Sequence, residues 1–505
     1  MTNSTGMVKH WNRMTDKPTN ILWYCADQMR YDTIAALGNS EIKTPNLDRL
    51  IRKGMAFTKA YAQCQVCTPS RASFLTGRYP ASTRVYRNGT AAFPAGEVLV
   101  TKLLADAGYD CGLIGKLHLS TATAGETRID DGYRFFQWSH NPMTGEADAQ
   151  NAYHQWLRQE KNSDPDKLFG SQRGFVAPGV PEELHQTTWC TEMALRFLDE
   201  KREKPWLLSI NPYDPHPPFD PPAEYLERYD PEQLTPPLFR QSDLARQEQF
   251  KTVRAQTVEA VDPVAGSSET IEYESQSARG YRPPDSYDGR QAKAAYYAMI
   301  ELIDHQFGRI LDALEASGEI YNTVVIFMSD HGELLGDHGL MYKGCRFFEG
   351  LVHVPLIIAG PEGTISDIDS DALVELVDLA PTLLDLAGLS IPERMQGKSL
   401  APILRGTAPS DFHKSTVICD FNDSVGYSPV PNYTQASMTF DGRYKLAIYH
   451  SHDIGELFDL ETDPGEFENL FYDPEHTELR DRLILRHLNR FAGTVDAGIK
   501  RVSNA

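Results

Sequence analysis

Four times along this chain a short apolar run stops at residues that carry chemistry. Asn20–Ala26 (NILWYCA) stops at Asp27, and Asp110–Ile114 runs into Gly115, Lys116 and His118. Trp206–Ile210 leads to Asp214-Pro215-His216, and Thr323–Met328 ends at Ser329-Asp330-His331. Runs this short and this continuously apolar read as strands buried on both faces. Helical signals fill the intervals: Thr44 before Pro45, with Leu47, Leu50 and Ile51 on one face and Gly54 past the end. Pro69–Thr76, stopped by Gly77, then Val100–Ala107, Thr187–Glu203, Gln291–Ala316 and Leu373–Leu386 are further predicted helices, and Val354–Ile358 a further buried strand. Strands alternating with helices predict an α/β fold, a large and mostly parallel sheet sandwiched by helices. Ligands in such sheets bind at the carboxyl ends of the strands, so these residues are placed to converge.

From about Asp411 the pattern changes. Thr416–Asp420, Gln435–Phe440, Tyr444–Tyr449 and Glu456–Leu460 read as short antiparallel strands, with a hairpin turn at Asp441-Gly442. An amphipathic helix follows over Pro474–Phe491. The expected division is therefore a catalytic α/β domain at 18–408 and a smaller C-terminal α+β domain at 409–505 with a short antiparallel sheet. The polar stretch 231–290 reads as an insertion over one edge, covering either its own cleft or a neighbouring copy in a homo-oligomer.

The 505 residues include 49 basic and 70 acidic ones, a net charge of −21, which argues against a nucleic-acid partner. An anionic substrate then needs a local positive site against a negative whole-protein field. No apolar run approaches the length of a membrane helix, and the first twenty residues contain no apolar signal core. A cytoplasmic protein with no membrane partner is the expectation. Seven scattered cysteines do not make a disulfide framework.

Cys67, in CTPSRASFLTGRYP, precedes a predicted helix, where the dipole and free N–H groups favour an anion, and Arg71 stands one turn on. Three readings compete. A phosphatase-type thiolate wants its arginine six positions beyond the cysteine, and here it is four beyond. A redox pair with Cys64 lacks a thioredoxin-like context. In the third reading Cys67 is modified before use.

Cys67-Thr68-Pro69-Ser70-Arg71, closed by Gly77-Arg78, resembles the signature of the type I sulfatases of the alkaline-phosphatase-like superfamily. The likeness runs from Asp27 to ELFDLETDPGEFENL, Glu456–Leu470. It implies the alkaline-phosphatase-like fold and oxidation of Cys67 to formylglycine by a separate formylglycine-generating or other maturing enzyme. The hydrated aldehyde offers two hydroxyls: one attacks sulfur, and the other lets the intermediate expel sulfate. The resemblance makes Asp27, Asp330, His331 and modified Cys67 the ligands of one divalent metal. Gln28 stands where many sulfatases have Asp, and His331 where many have Asn; the imidazole shifts the balance from calcium towards manganese or zinc. Lys116 would neutralise the sulfate, His118 orient or deprotonate the formylglycine hydroxyl, and His216 contact sulfate and protonate the leaving oxygen. Lys343 would stabilise the leaving group, Arg71 add to the positive field, and Asn88 hydrogen-bond the substrate or the hydrate.

The expected activity is hydrolysis of a small anionic ester, an aryl or sugar sulfate. Phosphonate monoester and phosphodiester hydrolases share the formylglycine, the Asp-Gln and Asp-His pairs and the downstream lysine, but have Tyr and Thr in place of Lys116 and His118. A homologue with unmodified Cys67 would only bind anions. Trp138, Tyr153 and Trp156 form either a sugar or aryl platform or part of the core, and His338, His353 and Glu349 read as structural supports.

Overall fold

Seven consecutive buried residues form β1, Asn20–Ala26, in the middle of the main sheet. Its side chains alternate between two cores: Leu22 and Tyr24 face one, Ile21, Trp23 and Cys25 the other. That is why the run is apolar at every position. The computed structural model describes residues 19–496 and 498, apart from 124, 146–148, 170–174, 257–258, 266–287, 362–363 and 425–432. The first 18 residues and 266–287 of the predicted insertion thus lie outside the described residues.

The other strands of the main sheet are β2 Met55–Tyr61, β3 Asp110–Gly115, β4 Tyr133–Trp138, β5 Trp206–Asn211, β6 Thr323–Ser329, β7 Leu356–Ala359 and β8 Ile368–Glu375. Their order is β4-β3-β5-β1-β6-β7-β2-β8, and β7 alone runs antiparallel to both neighbours. β1 pairs in parallel with β5 (Ile21 opposite Leu207) and with β6 (Ile21 opposite Val324). The principal helices are α1 Pro45–Lys53, α2 Cys67–Thr76, α3 Val100–Asp106, α4 Gln186–Asp199, α5 Gly289–Ser317, α6 Leu379–Leu386 and α7 Thr477–Ala492. α5 packs Ala295, Met299, Ile303 and Phe307 with α4 on one face of the sheet, while α2, α3 and α6 cover the other. Among the described residues no helix is long and apolar enough to cross a membrane.

A second, wholly antiparallel sheet, β9 Val417–Asn422, β10 Gln435–Phe440, β11 Tyr444–Tyr449 and β12 Ile454–Asp459, has the order β12-β11-β10-β9. Cys419, Phe421 and Met438 pack against Tyr61, Phe347 and Phe348, and α7 sets Leu483 against Leu446 and Leu457.

The predicted architecture is present, with corrections. Leu373–Leu386 is not one helix: Leu373–Glu375 ends β8, a 3-10 turn spans Leu376–Asp378, and the helix starts at Leu379. In ALVELVDLA the apolar residues run through strand, turn and helix, interrupted only by Glu375 and Asp378, which hides that boundary. The helix expected over Thr187–Glu203 stops at Asp199, just before the polar KREK that leads into β5. Thr44 precedes α1, but its hydroxyl accepts the Ala35 N–H instead of capping the helix. β2, β4 and β8 were not expected. The described part of 231–290 packs on the loop leaving β6, a central strand, where Val261 N–H donates to Gly339 O and Gln256 N–H to Lys343 O. It lies over the carboxyl end of the sheet.

Candidate active site

Four adjacent strands, β3, β5, β1 and β6, deliver side chains to one place. Asp27 follows β1, Lys116 and His118 follow β3, His216 follows β5, and Asp330 and His331 follow β6. Cys67 arrives at the start of α2, which begins two residues earlier than its sequence signals place it and is buried throughout. β3 lies so close to β5 that a Cβ on Gly115 would fall 2.0 Å from Asn211 O, and Gly115 has a φ of 89°. Only glycine meets both conditions, and it turns the chain so that Lys116 enters the site.

Cys67 Sγ is the hub. It lies 3.0 Å from Lys343 Nζ, 3.1 Å from His331 Nε2, 3.5 Å from Lys116 Nζ and 3.7 Å from Asp27 Oδ1. Burial pushes the thiol up, but Lys116 and Lys343 outweigh it and hold Cys67 well below its ordinary value. Lys116 pairs with Asp27 at 2.5 Å and, against burial, holds that carboxyl well below the usual range. Arg71 Nε donates to Asp330 Oδ2 at 2.9 Å, and its Nη1 reaches Lys116 O and Asn211 Oδ1. Burial outweighs Arg71 at Asp330, whose carboxyl is pushed up.

Asp27, Cys67, Asp330 and His331 each offer a buried ligand atom, all within 4.8 Å of one another. His331 Nδ1 lies 2.9 Å from Gly332 O, which only accepts, so Nδ1 carries a proton and Nε2 is the ring atom that faces Sγ. Two carboxylates, an imidazole and residue 67 fit a divalent ion of intermediate hardness. Gln28 is not in this group. Its Oε1 accepts from Lys343 at 2.7 Å, and its Nε2 donates to Glu333.

His118 is held by its backbone. Glu126 accepts the N–H groups of His118, Leu119 and Ser120 and the Trp138 indole N–H. His118 Nδ1 has no hydrogen-bond partner among the described residues. Burial, then Lys116 and Arg71, keep its basicity well below the ordinary value. His216 Nδ1 lies 2.8 Å from Pro217 O, and burial and Lys343 hold this ring well below its usual range too. Both imidazoles are therefore neutral before an anion arrives. Asn88 Oδ1 accepts the Thr68 N–H at 2.9 Å, beside the start of α2, and Asn88 N–H donates to Ser424 O of the second sheet's loop.

Trp138, Tyr153 and Trp156 are all buried and belong to the core, so they form no platform. Cys64 faces Ser424 Oγ, and none of the seven cysteines is in a disulfide. His338 stacks on Phe348, and His353 and Glu349 bond each other. Sequence reasoning missed Glu126, Asn211 and Glu333 and gave Gln28 no definite role. Only Glu333 carried a signal, its place three residues after Asp330 in SDHGE.

The sulfatase family profile matches residues 19–389, and that of the N-sulphoglucosamine sulphohydrolase C-terminal region matches 336–491. An arylsulfatase of Clostridium perfringens is 30% identical over 485 residues, 92% of each chain. A multifunctional alkaline phosphatase superfamily protein, PehA, of Trinickia caryophylli is 32% identical over 497 residues, 91% of this chain and 92% of the relative. The crystal structure of a phosphonate monoester hydrolase of Agrobacterium radiobacter superposes with a TM-score of 0.77 at 26% identity, covering 96% of this chain and 98% of that one.

Proposed function

Because the chain belongs to the sulfatase family, we propose that it hydrolyses aryl or sugar sulfate monoesters through residue 67, converted from Cys67 to formylglycine, beside one divalent metal ion. The chain is a sulfuric ester hydrolase; the nucleophile, the ion and the alcohol are the proposal. The observation that carries it is Cys67 Sγ within 3.7 Å of Asp27, Lys116, His331 and Lys343, all five side chains buried. Formylglycine, as its hydrate, would supply a nucleophilic hydroxyl and a second one to release sulfate. The ion, held by Asp27, Asp330, His331 and residue 67, would supply Lewis acidity towards the sulfuryl oxygens.

The chain's own side chains do the rest. Arg71, fixed by Asp330, Asn211 and Lys116 O, props the α2 start and its carboxylate ligand in place. Lys116 and Lys343 stand at residue 67 as donors to the sulfate oxygens and to the departing ester oxygen. His118, neutral at rest, accepts the proton of an attacking hydroxyl. His216, also neutral, gains basicity only once an anion occupies the site, so Lys343 is the standing donor to the leaving oxygen. Residues 18–408 form the catalytic unit and 409–505 a C-terminal unit, which meets the first where Ser424 O accepts the Asn88 N–H and Asp423 pairs with Arg87 and Arg254. The partners are a small anionic ester and a maturing enzyme.

A phosphonate ester is the second substrate class, favoured by the likeness to the phosphonate monoester hydrolase structure and by the Asp27-Gln28 and Asp330-His331 pairs. Two measurements test the reading. The tryptic peptide Ala60–Arg71 from aerobically produced protein is expected to show the mass of an aldehyde in place of CH₂SH. The kcat/KM for an aryl sulfate is expected to exceed that for an aryl phosphonate by at least about tenfold, the selectivity that two extra cationic or hydrogen-bonding groups supply. An unmodified cysteine despite an active maturation system would sink the mechanism, and a large phosphonate preference would reverse the substrate assignment.

A further inference from the structure

We propose that Glu333 is a positioning residue for the leaving-group lysine, acting through the amide of Gln28 to fix where the Lys343 ammonium points. This rests on reading Lys343 as the group that meets the departing oxygen.

A lysine ammonium is a set of donors on a flexible stem, and its direction must be imposed from outside. Lys343 Nζ has three neighbours within hydrogen-bonding distance, Gln28 Oε1 at 2.7 Å, Cys67 Sγ at 3.0 Å and His331 Nε2 at 3.5 Å, and the Gln28 oxygen is the nearest. The Gln28 backbone is already held: its N–H donates to Asp330 Oδ1 at 3.1 Å and its carbonyl accepts from Tyr296 Oη at 2.6 Å. What remains is the side-chain amide, which has an accepting and a donating end. Turned over, it would present NH₂ to an ammonium, donor against donor. Glu333 removes that alternative, because a carboxylate only accepts, and it takes the Gln28 Nε2–H. Glu333 is in turn pinned, its other oxygen accepting the N–H groups of Leu335 and Tyr342. The chain of constraint runs from backbone to Glu333, to Gln28, to Lys343, with every member buried.

In the reaction the attacking oxygen bonds to sulfur as the S–O bond to the alcohol breaks, its electron pair going to the ester oxygen. That oxygen takes a hydrogen bond from Lys343 Nζ–H, and, when strongly basic, the proton itself. The help is therefore greatest for poor leaving groups.

Glu333→Gln keeps the shape but places a second NH₂ against Gln28, so the Gln28 amide must turn. The double variant Glu333→Gln with Gln28→Glu restores a donor facing an acceptor at every link and leaves the total charge unchanged. We would measure kcat/KM for aryl sulfates of graded leaving ability, with thermal midpoints. Lys343→Ala is expected to lose about 10²-fold on the poorest leaving group and much less on the best, and Glu333→Gln to show the same trend at about tenfold. The double variant is expected to recover to within about threefold of wild type. In crystals of unmatured Glu333→Gln protein, Lys343 Nζ should have left Cys67 Sγ. A loss uniform across the series for Glu333→Gln, no recovery in the double variant, or an undisplaced Lys343 overturns the proposal alone. A uniform loss for Lys343→Ala overturns the leaving-group reading and the proposal with it.

Discussion

Asp420 shows how a single buried carboxyl sets a pH response. It lies in β9, its Oδ1 has no hydrogen-bond partner among the described residues, and burial pushes it up to about 7. The native chain therefore holds a proton that an unfolded chain releases near pH 4, so ν_N exceeds ν_U and stability falls as pH rises through this window. Above the native value the loss is complete. Asp420→Asn removes the ionisation, so its stability relative to wild type is expected to grow by about 2–3 kcal/mol between about pH 5 and about pH 8. Urea unfolding at both pH values checks this; equal differences would mean the carboxyl titrates normally. Asp27 is the opposite case, because Lys116 holds it ionised.

Gly115 is the point where a strand becomes a site. Gly115→Ala would force a Cβ against Asn211 O from a left-handed backbone, displacing Lys116 and His118 together. We expect a loss of roughly 2–4 kcal/mol in unfolding free energy and of about 10²-fold or more in kcat/KM. Denaturant titration and kinetics read both, and a variant with normal stability would show that β3 has room to shift. At this scale the sequence was most legible for β1, β5 and β6, whose burial on both faces leaves no polar position to confuse the pattern. It was least legible in β2 (MAFTKAY) and β4 (YRFFQW), which mix charged residues with apolar ones because parts of them face solvent or polar neighbours. The residues at strand ends were readable as candidates because chemistry there interrupts an apolar run. Glu333 and Glu126 were not, because each acts on partners chosen by the fold: Glu333 meets Gln28 from 305 positions away.

Over the whole molecule, the field at the site is less positive than a count of its cations suggests. Arg71 is paired with Asp330 and Lys116 with Asp27, leaving Lys343 as the surplus against a net charge of −21. On the proposed reading, the divalent ion then supplies most of the attraction for an anion. Chelation is expected to weaken sulfate binding by about tenfold or more in calorimetric titrations. Unchanged affinity would assign anion capture to the lysines alone.

Cys67 is only 1% exposed, with α2 and four strand ends closed around it. A maturing enzyme needs to grip the peptide around this residue, and the finished protein offers no purchase. On the proposed reading the conversion therefore races folding, and each molecule has one chance at it. Chains that close first would form a permanently silent fraction, one whose size reflects the rate of synthesis and which later addition of the maturing enzyme leaves untouched.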